Sequence, residues 1–174
     1  MDLSVFQSIH NLARKNELLD SIMIFFSDWG IVLFIGIIFS LFIFSPTRKV
    51  GLIGFLSLVA GLLINRILKI LFDRPRPFME HDIDLLIPKD PSPSFPSDQA
   101  LIAGIFATTF WLLGPRYRWP ALILAVLVLF SRVLVGHHYP SDVLVGLLLG
   151  ALFTFIITMS FKRKSKQSHN TLTI

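Results

Sequence analysis

Apolar runs separated by charged or proline-rich segments divide the chain: Asp28 to Phe44, Val50 to Phe72, Gln99 to Leu113, Ala121 to Val135, and Asp142 to Phe161. Each approaches the roughly 20 residues that a helix needs to cross a hydrocarbon core about 30 Å thick, or slightly fewer where flanking side chains snorkel. The pattern predicts an all-α integral membrane protein, a bundle of about five transmembrane helices. Before them, Leu3, Phe6, Ile9 and Leu12 recur at near-helical spacing, while Asp2, Arg14, Lys15 and Glu17 interrupt any run long enough to span. That pattern predicts an amphipathic helix lying on the membrane interface or partly inserted in it. The apolar piece Leu18 to Phe26 leads into the first span and can lengthen it.

One domain is expected, with an interfacial segment over 1–27, a transmembrane core over 28–161 and a basic cytoplasmic tail over 162–174. Met1 to Asp20 has no basic start, short apolar centre and small-residue cleavage site in sequence, so the segment is expected to be retained.

Composition sharpens this reading. At 174 residues, 53% of them hydrophobic and 17 of them Phe, with a mean hydropathy of +0.71, the chain is more apolar than a soluble core of its size requires. There is no cysteine, which removes disulfides and thiolate metal sites. The net charge of +5 speaks for topology and not for a nucleic-acid partner, because the basic residues gather at helix ends: Arg48 and Lys49, Arg116 and Arg118, and Lys162, Arg163, Lys164 and Lys166. With five crossings, the positive-inside rule places these clusters and the C-terminus in the cytoplasm. The N-terminus and the loops Asp73 to Asp98 and Gly136 to Ser141 then lie outside, at the cell membrane's outer face, with Arg14 and Lys15 as a mild violation.

Three polar stretches fall on that outer side. Lys69 sits in the last turns of the second span after Asn65 and Arg66, where a cation needs a partner, water or a snorkelling path. Alone it would read as an anchoring lysine. Arg74-Pro75-Arg76-Pro77 changes this, since the prolines end the helix and fix two guanidinium groups suited to phosphate oxygens. Pro96-Ser97-Asp98-Gln99 delivers the chain into the third span with Ser97 or Asp98 as N-cap. The free N–H groups of a helix start, with the Ser97 hydroxyl, could hold a phosphate, although by itself the stretch is more simply a capping sequence.

In Ser131 to Asp142, Arg132 inside an apolar run must face the bundle interior and requires an anion. His138 and Asp142, four apart at the start of the fifth span, allow a carboxylate to hold one ring nitrogen and leave the other as nucleophile or base. His137 reads as a neighbouring interface residue. The acidic loop Glu80 to Asp90 reads as solvated charges around apolar residues that dip into the interface, and no metal is assigned to it.

These residues resemble the signature of the type 2 phosphatidic acid phosphatase superfamily, written K-x6-RP, PSGH and SR-x5-H-x3-D. Lys69, Arg76 and Pro77 match the first element, and Ser131, Arg132, His138 and Asp142 the third. The stretch from Leu86-Ile87-Pro88 to Asp98 is similar to bacterial undecaprenyl-diphosphate phosphatases of the bacitracin-resistance type. The resemblance implies that His138 attacks phosphorus and forms a phosphohistidine, Asp142 orients it, and Lys69, Arg76, Ser97 and Arg132 hold the phosphoryl oxygens. No metal or other cofactor is implied, because fixed cations and N–H groups meet the developing charge. The implied substrate is undecaprenyl diphosphate, dephosphorylated outside the cell in recycling of the peptidoglycan lipid carrier.

The second element departs at Asp98, which fits the undecaprenyl subgroup, and at Gln99, which replaces the histidine that would protonate the leaving oxygen. An amide cannot do so. Either the substrate is a diphosphate, whose leaving phosphate ester has a pKa of about 6 against about 16 for an alcohol-like oxygen, or Gln99 leaves a weakly active or inactive lipid-phosphate binder. Phosphatidic acid, phosphatidylglycerol phosphate and diacylglycerol diphosphate are the alternative substrates. Gly51, Gly54, Gly61, Gly146 and Gly150 would serve close helix packing or a homodimer.

Overall fold

The computed structural model describes residues 1–171, with side chains described through Arg163. It is all-helical: α1 (Asp2–His10), α2 (Glu17–Ile43), a 3-10 turn (Ser45–Thr47), α3 (Arg48–Phe72), the single turn α4 (Pro77–Glu80), α5 (Asp98–Leu113), α6 (Pro115–Leu134) and α7 (Pro140–Thr171). Among the described residues, four segments are long and apolar enough to cross a membrane, Glu17–Ile43, Ser45–Glu80, Pro115–Leu134 and Pro140–Arg163, and α5 is a shorter apolar helix.

The first long helix starts eleven residues earlier than the expected core boundary at 28, because Asn16 caps it by accepting from the N–H groups of Leu18 and Leu19 at 3.0 and 3.1 Å. The expected basic tail falls mostly outside the described side chains: Lys164 and Lys166 are among those not described, and Lys162 and Arg163 lie on α7.

At 16 residues, α5 spans about 24 Å, too short to face lipid along a full crossing. It is instead the central helix, packed by α2, α3, α6 and α7. Ala100 through Phe106 are buried, and the Phe106 ring stacks on Phe34 of α2 with centroids 4.1 Å apart. The outward faces of the surrounding helices carry exposed Leu63, Ile70, Trp119, Leu148 and Phe155, as a lipid-facing surface requires.

Two glycines bring α5 and α7 into backbone contact. A Cβ on Gly104 would lie 2.1 Å from the Leu147 carbonyl oxygen, and one on Gly150 would lie 2.1 Å from that of Leu101. This approach lets the Ser97 N–H donate to the Asp142 carbonyl at 3.2 Å, joining the second and third polar stretches. Gly51, Gly54, Gly61 and Gly146 likewise face neighbouring helices of the same chain.

The apolar face of α1 rests on protein and not on lipid alone. Phe6 is buried against His10 and Tyr139, Leu3 and Ile9 pack on the same cluster, and His10 Nδ1 hydrogen-bonds the Leu134 carbonyl at 2.7 Å. Helix α1 therefore lies across the ends of α6 and α7 where the polar stretches meet.

Candidate active site

The ends of α3 and α6 and the starts of α5 and α7 converge at one end of the bundle. The basic residues Arg48, Lys49, Arg116, Arg118, Lys162 and Arg163 stand at the opposite helix ends.

Helix α3 stops at Asp73, whose φ of 36° turns the chain into the left-handed region, and Pro75 and Pro77 keep the following backbone extended. Arg76 is thereby aimed inward. Its Nη1 donates to the His137 carbonyl at 2.8 Å and to His138 Nε2 at 3.1 Å, and its Nε donates to the Ser92 carbonyl at 3.0 Å.

Arg132, on the last turn of α6, is only 4% exposed. Its Nη1 donates to the Ser27 hydroxyl and to the Ser27 carbonyl, while Nε is buried without a partner among the described residues. Gln99 shares the same acceptor, donating from Nε2 to the Ser27 carbonyl at 2.8 Å. That bond orients the amide: nitrogen faces Ser27, and the buried Oε1 has no partner among the described residues.

Lys69 is ion-paired with Asp98, whose other carboxylate oxygen accepts from Asn65 Nδ2 at 2.6 Å. The expected phosphate-binding lysine therefore has an internal anion. Ser97 caps α5, its Oγ accepting from the Ala100 N–H at 3.5 Å, so the hydroxyl proton remains free to donate.

After α6, Gly136 at φ 92° lets the chain reverse, and the N–H groups of His137 and His138 both donate to the Arg132 carbonyl at 3.2 Å. The two imidazoles then diverge. His137 Nε2 donates to the Ile87 carbonyl at 2.9 Å, and its pKa is pushed down to about 3 by burial and then by Arg132. His138 is 3% exposed, and burial followed by the fields of Arg132 and Arg76 holds it well below the ordinary histidine value. A guanidinium cannot accept a hydrogen bond, so His138 Nε2 must, which puts the single ring proton on Nδ1. Nδ1 faces Asp142 Oδ2 at 3.6 Å, a contact longer than a hydrogen bond. The arrangement can present a neutral imidazole with its Nε2 lone pair beside fixed cations.

Asp142 is completely buried and held by others. Its Oδ1 accepts from Arg74 Nη1 at 2.7 Å and its Oδ2 from the Tyr139 N–H at 2.9 Å. Arg74 Nη2 in turn pairs with Asp2 Oδ2 at 2.7 Å, its guanidinium lies 4.2 Å over the Tyr139 ring, and Asp2 Oδ1 accepts from the Ser141 N–H at 3.1 Å.

The seven residues expected from the sequence thus lie at one end of the bundle, but their partners differ from expectation. Ser27, Asp98 as the anion for Lys69, and Asp2 were not anticipated. Asp2 had appeared only as a charge interrupting an apolar run.

The pattern of the PAP2 superfamily matches residues 50–166, which contain all seven. The chain belongs to the PAP2 superfamily. Among similar PAP2 proteins, the undecaprenyl-diphosphatase BcrC of Bacillus subtilis is 36% identical over 90% of this chain and 82% of its own length. The undecaprenyl-diphosphatase of Sulfolobus acidocaldarius is 38% identical over 85% of this chain and 74% of its own. Among solved PAP2-like structures, Aquifex aeolicus LpxE superposes with a TM-score of 0.80 at 29% identity, covering 90% of this chain and 94% of that one. The protein is therefore a multi-pass membrane PAP2 lipid phosphatase, all-helical in its described residues.

In this PAP2 site the chain Asp2–Arg74–Asp142 makes α1 a support for the residue facing His138. Asp2→Asn should lower kcat about tenfold, the scale of one charge-assisted hydrogen bond, with KM little changed. Asp2→Glu should recover part of the loss; equal kcat in wild type and Asp2→Asn would remove α1 from that role.

Proposed function

We propose that this chain removes the terminal phosphate of undecaprenyl diphosphate, giving undecaprenyl phosphate and inorganic phosphate. The observation that carries the reading is the buried His138, with Nε2 in contact with the Arg76 guanidinium and Nδ1 turned towards Asp142. Two similar proteins with undecaprenyl-diphosphatase names support the choice of lipid.

In the proposed reaction Arg76 Nη1 passes from His138 Nε2 to a phosphoryl oxygen of the arriving substrate, and the freed Nε2 lone pair attacks the terminal phosphorus as the bond to the bridging oxygen breaks. That oxygen leaves with the bonding electrons on the lipid-side phosphate. Asp142 stabilises the cationic ring that forms, closing its 3.6 Å gap to Nδ1 as charge develops. Arg76, Arg132, Lys69 and the Ser97 hydroxyl hold the phosphoryl oxygens, with Asp98 positioning Lys69. Water then cleaves the phosphohistidine, returning the imidazole and releasing phosphate.

Gln99 supports a diphosphate substrate. Its amide is directed to the Ser27 carbonyl and is no acid, and a phosphate ester of pKa about 6 needs no proton to leave. The site end of the bundle is assigned to the extracytoplasmic face, because the described basic clusters lie at the other end. The proposed role is recycling of the lipid carrier used in cell-wall synthesis.

The test is phosphate release by right-side-out vesicles given undecaprenyl diphosphate or phosphatidic acid, with and without EDTA. Faster release from the diphosphate, indifferent to chelator, with acid-labile label trapped on His138, is expected. Chelator-sensitive release would count against the scheme. Lipid binding with neither release nor trapped label would identify a silent binder, and release only from inside-out vesicles would reverse the orientation.

A further inference from the structure

Two buried guanidinium groups stand at the candidate site, and their hydrogen-bond partners differ. Arg76 is committed on every nitrogen: Nε donates to the Ser92 carbonyl and hydroxyl at 3.0 and 3.1 Å, Nη1 to the His137 carbonyl and His138 Nε2, and Nη2 to the Pro93 carbonyl at 3.3 Å. Arg132 is committed on one. Its Nη1 donates to Ser27 twice, at the hydroxyl and at the carbonyl, while Nε is buried without a partner and Nη2 makes no hydrogen bond among the described residues.

A guanidinium is a rigid planar fork, so anchoring Nη1 fixes which edge is left over. In Arg132 that is the Nε–Nη2 edge, whose parallel N–H groups match two oxygens of one phosphate. The residue is only 4% exposed and has no carboxylate at ion-pair distance among the described residues. A buried cation in that condition, with free donors along one side, is costly until an anion meets it there.

Ser27 sets the direction of that edge. It is fully buried on α2, 105 residues before Arg132 and outside the residues 50–166 that match the superfamily. Its carbonyl is shared, because Gln99 Nε2 donates to it at 2.8 Å against 3.3 Å for Arg132 Nη1. The hydroxyl is the acceptor that Arg132 has to itself. Alanine at this position would leave two donors on one carbonyl, with the shorter bond belonging to Gln99, and would release the guanidinium to rotate.

We infer that Ser27 is a positioning residue for phosphate recognition: by holding Arg132 Nη1, it presents the Nε–Nη2 edge to two oxygens of the terminal phosphate. The inference rests on the phosphatase reading above and adds α2 to the phosphate site. The two arginines then divide the work. Arg76, tied to the loop before α5 through Nε and Nη2, gives up only its Nη1 contact with His138 when substrate arrives, whereas Arg132 supplies a paired grip that breaks no internal bond.

The test measures binding of farnesyl methylene-diphosphonate, which cannot be hydrolysed, to the full chain carrying Ser27→Ala or Ser27→Cys. Each should weaken binding about 10- to 100-fold, the scale of a hydrogen bond to a charged group. Cysteine matches serine in size and is a weak acceptor, so a loss with alanine that cysteine restores would mean a packing role and overturn the inference. Unchanged binding in both variants would overturn it too. In an Arg132→Ala background Ser27→Ala should cost less than about threefold, because the group it positions is gone; the full loss repeated there would separate Ser27 from Arg132. Where that background binds too weakly to measure, or Ser27→Ala does not fold, Ser27→Cys decides alone. Failure of the unaltered chain to release phosphate from farnesyl diphosphate would sink the phosphatase reading, while the diphosphonate measurement would still decide the role of Ser27.

Discussion

Replacing His138 by alanine or by the similarly sized asparagine should reduce phosphate release by about 10⁴-fold or more, the scale seen when a nucleophile acting as part of a unit is lost. Neither side chain can form the N–P bond, and the remaining cations can only bind. Substrate affinity should change little, since Arg76, Arg132 and Lys69 are untouched. Retention of more than a few per cent of activity by both variants would place the nucleophile elsewhere.

The same histidine sets the expected pH behaviour of the native protein. Its pKa is held well below the usual 6.5 by burial and by Arg132 and Arg76, so Nε2 stays unprotonated in the free enzyme as pH falls through that value. The profile of kcat/KM, which reports the free enzyme, should therefore show no acid limb near 6.5. Stability follows the opposite logic. His138 and His137 are both neutral when folded and take up protons when exposed by unfolding, so stability is intact above about 6.5 and declines as pH drops below it.

The second large effect is a gain. Gln99→His should raise activity on phosphatidic acid by about 10²- to 10⁴-fold, the usual yield of general acid catalysis, and activity on undecaprenyl diphosphate by much less. A protonated imidazole at position 99 can keep one N–H on the Ser27 carbonyl, where the Gln99 amide now sits, and donate its other N–H to the leaving oxygen. An alkoxide needs that proton and a phosphate ester does not. Unchanged rates on every lipid phosphate would detach position 99 from the leaving group.

Much of the candidate site was legible in the chain because catalysis of this kind needs unusual residues in unusual places. Arg132 within an apolar run, and Lys69 near the end of another, are costly in a bilayer unless they meet an anion or water, so their presence pointed to a polar end of the bundle. Their partners were less legible. Lys69 meets Asp98 29 residues away, Gln99 meets Ser27 72 residues away, and Ser141 meets Asp2 139 residues away. No local periodicity connects such pairs. The amphipathic stripe of α1 was visible, but an apolar face looks alike whether lipid or Tyr139 covers it.

Hydropathy alone determined that the chain is helical and membrane-embedded, because an apolar environment leaves a backbone little choice but to satisfy its own hydrogen bonds. The spacing of Lys69, Arg76, Arg132, His138 and Asp142 determined the superfamily. Tertiary structure decided which charges remain available: it pairs Lys69 with Asp98, fastens Asp142 to Arg74 and Arg74 to Asp2, and leaves Arg76 and Arg132 with no carboxylate at ion-pair distance among the described residues. The reason is electrostatic. A charge's worth depends on the distance to its neighbours and on the solvent between them, and neither exists until the helices have packed.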